Sequence, residues 1–378
     1  MTGRRWIAIL FILLAPPALT AQDVWTGVER VVAVGDVHGD HDQLVATLRS
    51  AGIIDAAGDW SGGKAHLVQT GDVLDRGPDS RKAMDLLMKL EAQALEAGGR
   101  VHCLIGNHEA MVLYGDYRYL SEGEIAAFRD ENSEKAREEL YAAHRKALED
   151  APPPGGVPRF DDAYRRQWEA GHPLGLAELQ RAFGPSGTYG RWIRRHNAVV
   201  RIDGSLFLHG GISPKYAQWP IRKINEQVRS ELADFTKLKG GIVEDDEGPL
   251  WYRGLALDDG PALEAHLREI LATHQCDRIV IGHTITGTTI ASRFGGRVLM
   301  IDVGMSRFYD PAGKVACLRL DRGRPSALHR GRSLELPRDD GLDLLRYLKE
   351  AAALDPPPSP LRPAIERLEA RLLEPSRK

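Results

Sequence analysis

Five short apolar runs in this 378-residue chain each end at a motif that pairs glycine with a residue able to bind a metal ion. Apolar runs of this length, stopped by glycine, predict buried β-strands. The runs and their motifs are Val31–Val34 with GDVHGD, His66–Thr70 with GDVLDRG, Val101–Ile105 with GNHE, Leu206–Leu208 with HGG and Arg278–Ile281 with GHT. Because α/β proteins bind ligands beyond the carboxyl ends of their strands, we expect the motifs to meet at one site. The chain is therefore constrained to an α/β fold built around that site.

The segments between the motifs predict alternating strands and helices, with one interruption. Helices are predicted over 40–51 and 79–97, the second with Asp79 as its N-cap. Over 114–187 the sequence is rich in charged and helix-forming residues, and Ser121-x-x-Glu124 matches a capping box. This stretch predicts an inserted helical cap, which either lies over the site or is a solvated decoration. After a main domain over 22–330, residues 331–378 predict a C-terminal tail with helices at 342–354 and 363–373.

The N-terminus matches a secretory signal peptide over residues 1–21. Arg4 and Arg5 precede an apolar run from Trp6 to Ala15, and small residues lead to Ala21. The run is shorter than the roughly 20 residues that span a bilayer. We therefore expect a periplasmic or secreted protein without a stable membrane span after cleavage, and the alternative is an N-terminal buried or anchoring helix.

Composition and cysteine content narrow the class further. The chain is 43% hydrophobic, and 50 Lys and Arg face 53 Asp and Glu, for a formal net charge of −3. Such a balance argues against nucleic acid or an anionic membrane as the main partner. An odd count of three cysteines leaves at least one thiol free, and a Cys276–Cys317 bridge is compatible with export.

The motif residues form the ligand set of a two-metal site. We expect Asp36 and His38 on the first metal, Asp72 as a bridge, and Asn107, His209 and His283 on the second. Mixed oxygen and nitrogen ligands without thiolates favour two divalent ions such as Mn, Fe or Zn over calcium. Two cations about 3.5–4 Å apart can hold a hydroxide nucleophile and stabilise an in-line displacement at phosphorus.

Further residues of the motifs suit the rest of a phosphoryl-transfer site. Arg76 follows Asp72 closely enough to grip a phosphate with two hydrogen bonds, and Asn107 is a further candidate phosphate contact. His108 is the candidate proton donor for the leaving oxygen, oriented by Asp75. Asp302 and Gly304 follow a later strand and are candidates to contact the site. His66 and His102 lie inside predicted strands, and we expect both to be structural.

This ordered set of motifs resembles the phosphoprotein phosphatase (PPP) superfamily over about Val31–Leu320. Within it, the chain is most similar to the bacterial Shewanella-like protein phosphatases, through GDVLDRG without an aromatic third residue, the helical insertion, HGGISP, PLWYRG and the exported N-terminus. The resemblance implies an αββα four-layer sandwich with a dinuclear metal site and the ligand roles given above. It also assigns Arg253 of PLWYRG to phosphate binding. The chain departs from eukaryotic Ser/Thr phosphatases by lacking a SAPNYC-like loop, which leaves its choice among phosphorylated residues open.

The expected function is metal-dependent phosphomonoester hydrolysis on phosphoproteins or phosphopeptides, with phosphotyrosine among the candidate substrates. One alternative is a hydrolase of nucleotides or dinucleotide polyphosphates, because the same metal site serves both. A second alternative is a phosphate-binding pseudo-enzyme. That reading predicts the loss of a ligand or an arginine, whereas all six ligands, Arg76 and Arg253 are present.

Overall fold

Two six-stranded β-sheets form the centre of the computed structural model, which describes residues 22–338 and 340–373. Their apolar residues belong to one hydrophobic core, and Val32, Leu67, Leu206 and Val280 are all fully buried within it. Helices flank the sheets, as expected for the predicted αββα sandwich. The predicted signal peptide lies outside the described residues.

The first sheet carries the three N-terminal motifs. Its strands, in spatial order, are β12 (Arg332–Leu334), β11 (Arg324–His329), β10 (Ala316–Asp321), β2 (Arg30–Val34), β3 (His66–Gln69) and β4 (Arg100–Cys103). Strands β2, β3 and β4 are parallel, whereas β10 runs antiparallel to β2 and to β11. The carboxyl ends of β2, β3 and β4 therefore lie at one edge.

The second sheet carries the two C-terminal motifs. Its strands, in spatial order, are β1 (Val24–Trp25), β5 (Val199–Ile202), β6 (Ser205–Leu208), β7 (Arg278–Ile281), β9 (Val298–Met300) and β8 (Ala291–Arg293). Strands β6, β7 and β9 are parallel. Strands β5 and β6 form the predicted hairpin around Asp203, whose φ of 48° suits a tight turn.

Thirteen α-helices are found in the described part of the chain. They are α1 (His41–Ser50), α2 (Ser80–Glu96), α3 (Asn107–Tyr114), α4 (Glu122–Ala126), α5 (Ser133–Asp150), α6 (Asp162–Ala170), α7 (Leu176–Phe183), α8 (Thr188–Arg194), α9 (Ile221–Ala233), α10 (Gly254–Leu257), α11 (Pro261–Thr273), α12 (Leu342–Ala352) and α13 (Arg362–Leu373). Short 3₁₀ turns occupy Phe235–Lys237 and Phe294–Gly296. Helices α4 to α7 lie in the stretch predicted as an insertion. None of the described helices combines the length and the apolar character needed to cross a membrane.

Two predicted helix caps differ from the structure. Asp79 precedes α2 but accepts no capping hydrogen bond, because its carboxylate pairs with Lys82 at 2.7 Å. Ser121 caps α4 as predicted by accepting the Glu124 N–H, yet the Glu124 side chain does not return to Ser121. It points into the protein instead and accepts the N–H of Asp75.

The predicted end of the main domain at residue 330 cuts through the first sheet. Strand β12 pairs with β11 after that point, so residues 332–334 belong to the sandwich. The C-terminal helices are anchored to the same body: the Tyr347 hydroxyl donates to the Ile290 carbonyl at 2.8 Å, and Arg330 donates to the buried Asp355 at 2.7 Å.

The three cysteines are free and buried. The candidate Cys276–Cys317 bridge is therefore not formed. Cys317 lies on β10 of the first sheet, whereas Cys276 lies two residues before β7 of the second sheet. Both thiols are instead packed as small apolar side chains in the core.

Candidate active site

The six predicted metal ligands all lie just beyond the carboxyl ends of parallel strands. Asp36 and His38 follow β2, Asp72 follows β3, and Asn107 begins α3 after β4; His209 follows β6 and His283 follows β7. All six are buried, with exposures from 0% for His209 to 7% for His283. The ligands therefore come from both sheets and meet beyond the carboxyl ends of the parallel strands.

Asp72 is at the centre of this group. Its Oδ2 atom lies 3.2 Å from Nε2 of His209 and 3.8 Å from Nε2 of His38. Two sets of three side chains hold their ligand atoms within 4.8 Å of one another: His38, Asp72 and His108 form one set, and Asp72, His209 and His283 form the other. Asp72 alone belongs to both sets, which is the position that a bridging carboxylate requires.

Backbone carbonyls orient two of the histidines. Nδ1 of His38 lies 3.0 Å from the Leu74 carbonyl, and Nδ1 of His209 lies 2.9 Å from the Thr70 carbonyl. A carbonyl can only accept, so Nδ1 carries the proton and donates, which leaves Nε2 free to bind a cation. Nε2 of His209 also lies 2.9 Å from Oδ1 of Asn107, so these two atoms can bind one ion together.

The backbone of the ligand residues is strained. His38, Asp72 and His283 have φ angles of 45°, 57° and 64°, in the left-handed region that non-glycine residues rarely adopt. Strain of this kind concentrates at functional sites and persists where neighbours fix it. Gly106 shows the closeness of the packing, because a Cβ atom there would lie 2.2 Å from Oδ1 of Asp72.

Glu109 is a site residue that was not predicted from the sequence. It is the last residue of GNHE, and its buried carboxylate accepts the N–H groups of Asp72 at 2.7 Å, Val73 at 2.8 Å and Gly106 at 2.9 Å. Glu109 thus ties the GDVLDRG loop to the start of α3. Its place at the third position of that helix, next to glycine, was the available signal.

The charge balance of the site fits bound cations. Burial and the nearby carboxylates of Asp302 and Asp72 raise the pKa of Asp36 well above its usual value. Burial likewise raises the pKa of Asp302 to about 6 and, with the charge of Asp72, the pKa of Glu109. Four carboxylates buried together need positive charge, which divalent ions supply. Bound there, such ions would polarise phosphoryl oxygens and activate water.

His108, the predicted proton donor, is paired with Asp75. Nδ1 of His108 donates to Oδ2 of Asp75 at 2.5 Å, and its Nε2 atom lies 3.8 Å from Oδ2 of Asp72. Burial lowers the pKa of His108, but the charge of Asp72 and the hydrogen bond to Asp75 outweigh it, so the pKa lies above the ordinary value. The raised pKa favours the protonated form of His108, which is the form that can donate a proton.

The two predicted phosphate-binding arginines are held differently. The Arg76 guanidinium stacks on Tyr119, 4.0 Å from the ring centroid, and lies 5.5 Å from the ring of Phe308. Arg253 donates to the His283 carbonyl at 2.7 Å and to the Thr284 hydroxyl at 3.0 Å. Arg253 therefore also fixes the GHT loop that carries a ligand.

The side chains above surround a cavity of about 310 Å³. Its lining consists of His38, Asp72, Arg76, Asn107, His108, Tyr119, Trp251, Arg253, His283, Ile285, Asp302 and Tyr309. Asp302, a candidate from the sequence, thus joins the site, whereas Trp251, Ile285 and Tyr309 were not foreseen. Tyr119 is the sole lining residue from the stretch 114–187, so most of the described insertion lies away from the cavity.

Comparisons with known proteins agree with this geometry. The family model of the calcineurin-like phosphoesterases matches residues 29–287. The chain is 31% identical over 313 residues to Shewanella-like protein phosphatase 2 of Arabidopsis thaliana, covering 78% of this chain and 76% of the relative. It is 33% identical over 321 residues to an uncharacterized protein of Schizosaccharomyces pombe, covering 81% and 82%.

A solved structure shows the same likeness. The cold-active protein-tyrosine phosphatase of a psychrophilic Shewanella species superposes with a TM-score of 0.63 at 28% identity, covering 83% of this chain and 82% of that one. The predicted fold is therefore confirmed, and calcineurin-like phosphoesterases use a dinuclear divalent-metal site. The chain belongs to the calcineurin-like metallophosphoesterases and, within them, to the Shewanella-like protein phosphatases.

Proposed function

We propose that this metal-dependent phosphoesterase removes phosphate from phosphoproteins or phosphopeptides and prefers phosphotyrosine. The observation that carries the preference is the aromatic rim of the cavity, formed by Tyr119, Phe308 and Tyr309 around Arg76. Phe308 is 55% exposed and Tyr309 is 39% exposed, although both are large apolar side chains. Exposed aromatic groups beside a site are available to pack against a ligand.

The rim has the geometry to receive an aryl ring. Tyr309 lies edge-on to His38 at 5.5 Å, and Phe308 lies edge-on to Tyr309 at 5.2 Å. Aromatic rings pair favourably at centroid separations of about 4.5–7 Å. A phosphate bound near His38 therefore brings an attached phenyl ring within reach of this rim, whereas the short side chain of phosphoserine does not extend as far. The solved relative from Shewanella is itself described as a protein-tyrosine phosphatase.

The chain's own residues account for the handling of charge and protons. Arg76 and Arg253 bind the phosphoryl oxygens. The bond between phosphorus and the leaving oxygen breaks, and a water molecule loses one proton to solvent and bonds to phosphorus through its oxygen. His108 donates its Nε2 proton to the leaving oxygen and then regains a proton from solvent. Asp75 holds the ring of His108 and stabilises its charged form. A tyrosine or serine oxygen is a poor leaving group, so a proton donor at this point is consistent with a monoesterase.

We also propose Mn, Fe or Zn as the bound ions and export as the fate of the chain. The support for the metals is the mixed carboxylate, amide and imidazole ligand set, which contains no thiolate. The support for export is the sequence pattern of residues 1–21. Determination of the mature N-terminus after expression tests the cleavage site after Ala21, and an uncleaved N-terminus would contradict it.

The function is tested with the chain from Gln22 onward, stripped of metal and reconstituted separately with Mn, Fe or Zn. The substrates are one peptide made with phosphotyrosine or with phosphoserine in the same flanking sequence, and diadenosine tetraphosphate. We expect the highest kcat/KM on the phosphotyrosine peptide and loss of turnover in Asp72→Asn. His266→Asn, which changes a buried histidine outside the cavity, serves as the matched control. Turnover of the dinucleotide alone would favour the nucleotide hydrolase, and metal binding without any turnover would favour the pseudo-enzyme.

A further inference from the structure

Two consecutive residues of the active site are held in an unfavourable backbone conformation. Asp75 has a φ angle of 69° and Arg76 has a φ angle of 71°. The left-handed conformation costs a non-glycine residue about 1–2 kcal/mol. In the proposed function, Asp75 orients the proton donor and Arg76 binds the phosphate. The orientation of both side chains therefore depends on the contacts that hold this backbone conformation.

The beginning of the insertion fixes this backbone from outside. We call residues 119–124 the clamp segment. The Tyr119 carbonyl accepts the N–H of Arg76 at 3.1 Å, and Oε1 of Glu124 accepts the N–H of Asp75 at 3.1 Å. The Ser121 hydroxyl donates to the carbonyl of Gly77 at 3.1 Å. The clamp segment thus contacts three residues in a row.

Glu124 is the unusual member of the clamp segment. Only 2% of the residue is exposed, although it carries a carboxyl group. Burial and the nearby charge of Asp75 raise the pKa of Glu124 to about 8. The raised pKa favours the neutral form of Glu124, which accepts the Asp75 N–H without adding a second negative charge behind that carboxylate. Burying a carboxyl group costs free energy. We therefore expect Glu124 to have a role beyond packing.

We propose that Glu124 is a positioning residue for proton donation, which holds the strained backbone of Asp75 and thereby aims Asp75 at His108. The inference rests on the proposed role of His108 as the proton donor. It gives the insertion a specific function: its first turn completes the active site, while α5, α6 and α7 lie elsewhere. Two hydrogen bonds that share Asp75 connect these residues. The carboxyl group of Glu124 accepts the Asp75 N–H, and the Asp75 carboxylate accepts the Nδ1–H of His108.

The leaving-group dependence of the rate tests this role. p-Nitrophenolate leaves without a proton, whereas the oxygen of phenyl phosphate needs one. We expect Glu124→Ala to lower kcat on phenyl phosphate about 10–100-fold more than on p-nitrophenyl phosphate, within the range that general acid catalysis contributes. Glu124→Gln keeps an acceptor for the Asp75 N–H, so we expect it to restore most of the difference. KM should change little in either variant.

Glu178→Ala is the matched control. Glu178 is a second buried glutamate of the insertion, lies on α7, and has no partner for either oxygen, but it does not line the cavity. We expect equal effects of Glu178→Ala on the two substrates. Should Glu124→Ala fail to fold, Glu124→Met, which is similar in volume and lacks an acceptor, takes its place.

His108→Asn separates this inference from the proposed function. If His108→Asn slows phenyl phosphate selectively but Glu124→Ala slows both substrates equally, the positioning role of Glu124 is overturned and the donor role of His108 stands. If His108→Asn itself shows no leaving-group dependence, the donor role is overturned, and the inference with it. Selective loss in both variants, with rescue by Glu124→Gln, is the expected result.

Discussion

The guanidinium of Arg76 lies 4.0 Å from the ring centroid of Tyr119, and none of the ion pairs in the described segments involves it. An aromatic ring holds a cation without neutralising it. Arg76 is thus positioned while its charge and its hydrogen-bond donors remain available to a phosphate. Tyr119 belongs to the clamp segment, so one short stretch of the insertion positions both the arginine and the carboxylate of the proton-donating pair.

Replacement of Arg76 by lysine should lower kcat/KM about 10–100-fold. Lysine keeps the charge but loses the planar fork that grips two phosphate oxygens and stacks on Tyr119. The measurement is steady-state hydrolysis of p-nitrophenyl phosphate at fixed metal loading. Arg81→Lys is the control, because Arg81 also stacks on a ring, Phe128 at 5.1 Å, outside the cavity. Equal losses in the two variants would argue against a phosphate contact at Arg76.

Truncation of Phe308 should reduce selectivity for phosphotyrosine. We expect Phe308→Ala to lower kcat/KM about 10-fold on a phosphotyrosine peptide and much less on the matching phosphoserine peptide, since a lost aromatic contact is worth about 0.5–1.5 kcal/mol beyond its buried area. Phe235→Ala removes a ring that is also exposed, by 41%, but lies beside Arg194 rather than Arg76. An unchanged ratio of kcat/KM between the two peptides in Phe308→Ala would show that the rim does not determine specificity.

Removal of metal should destabilise the fold. Asp36, Asp72, Glu109 and Asp302 are buried together, and without bound cations their charges repel or must be neutralised by protons. Metal at 100 times its Kd stabilises the folded state by about 2.7 kcal/mol, so Tm should fall on chelation and recover on re-addition of metal. Asp72→Asn should show little of this shift. Asp85→Asn, which changes a carboxylate bonded to Tyr189, should retain it.

A histidine pair away from the metal site should make stability depend on pH. Nε2 of His102 lies 3.0 Å from Nδ1 of His66, and burial lowers the pKa of His66 to about 4 and of His102 to about 3. Below pH 6.5 the unfolded chain therefore binds protons that the folded chain excludes, and stability must decrease as the pH falls from 6.5 towards 4. Each residue contributes at most about 1.4 kcal/mol per pH unit.

The double variant His66→Gln/His102→Gln isolates this contribution from that of the metal-site histidines. We expect its free energy of unfolding, measured by urea denaturation between pH 7 and 4.5, to fall less steeply with decreasing pH than that of the parent. Parallel pH profiles would show that the pair does not titrate in this way.

The metal-binding side of the structure was predictable from the sequence because its signals are local. Each ligand is adjacent to a glycine at the end of an apolar strand, so the spacing of a few residues encodes both the strand and the turn that presents the ligand. The parallel register of β2 and β3 then places Asp36 and Asp72 side by side. The sequence assigned His108 and Asp75 to one pair, and the structure brings them to 2.5 Å.

The features that were not predicted depend on contacts between distant parts of the chain. Glu124 matches a capping box locally, but its side chain turns inward because the N–H of Asp75, 49 residues away, requires an acceptor. Tyr309 lines the cavity and Phe308 lies beside Arg76, and the preceding residue, Arg307, is bound to Asp40 near the other end of the chain. Strands β11 and β12 contain proline, serine and arginine and do not alternate clearly, so only the pairing of β11 with β10 and of β12 with β11 reveals them.

The pairing of β2 with β10 has a consequence for synthesis of the chain. Ala33 lies opposite Leu318, so β2, which leads to Asp36, stays at an open sheet edge until the ribosome has released nearly the whole protein. Closing so long a loop is slow, and an unpaired strand is prone to aggregation in the meantime. A nascent or prematurely terminated chain ending before β10 would hold every predicted ligand and yet lack the strand that supports the first of them. Premature termination should therefore yield insoluble chains rather than partly active enzyme.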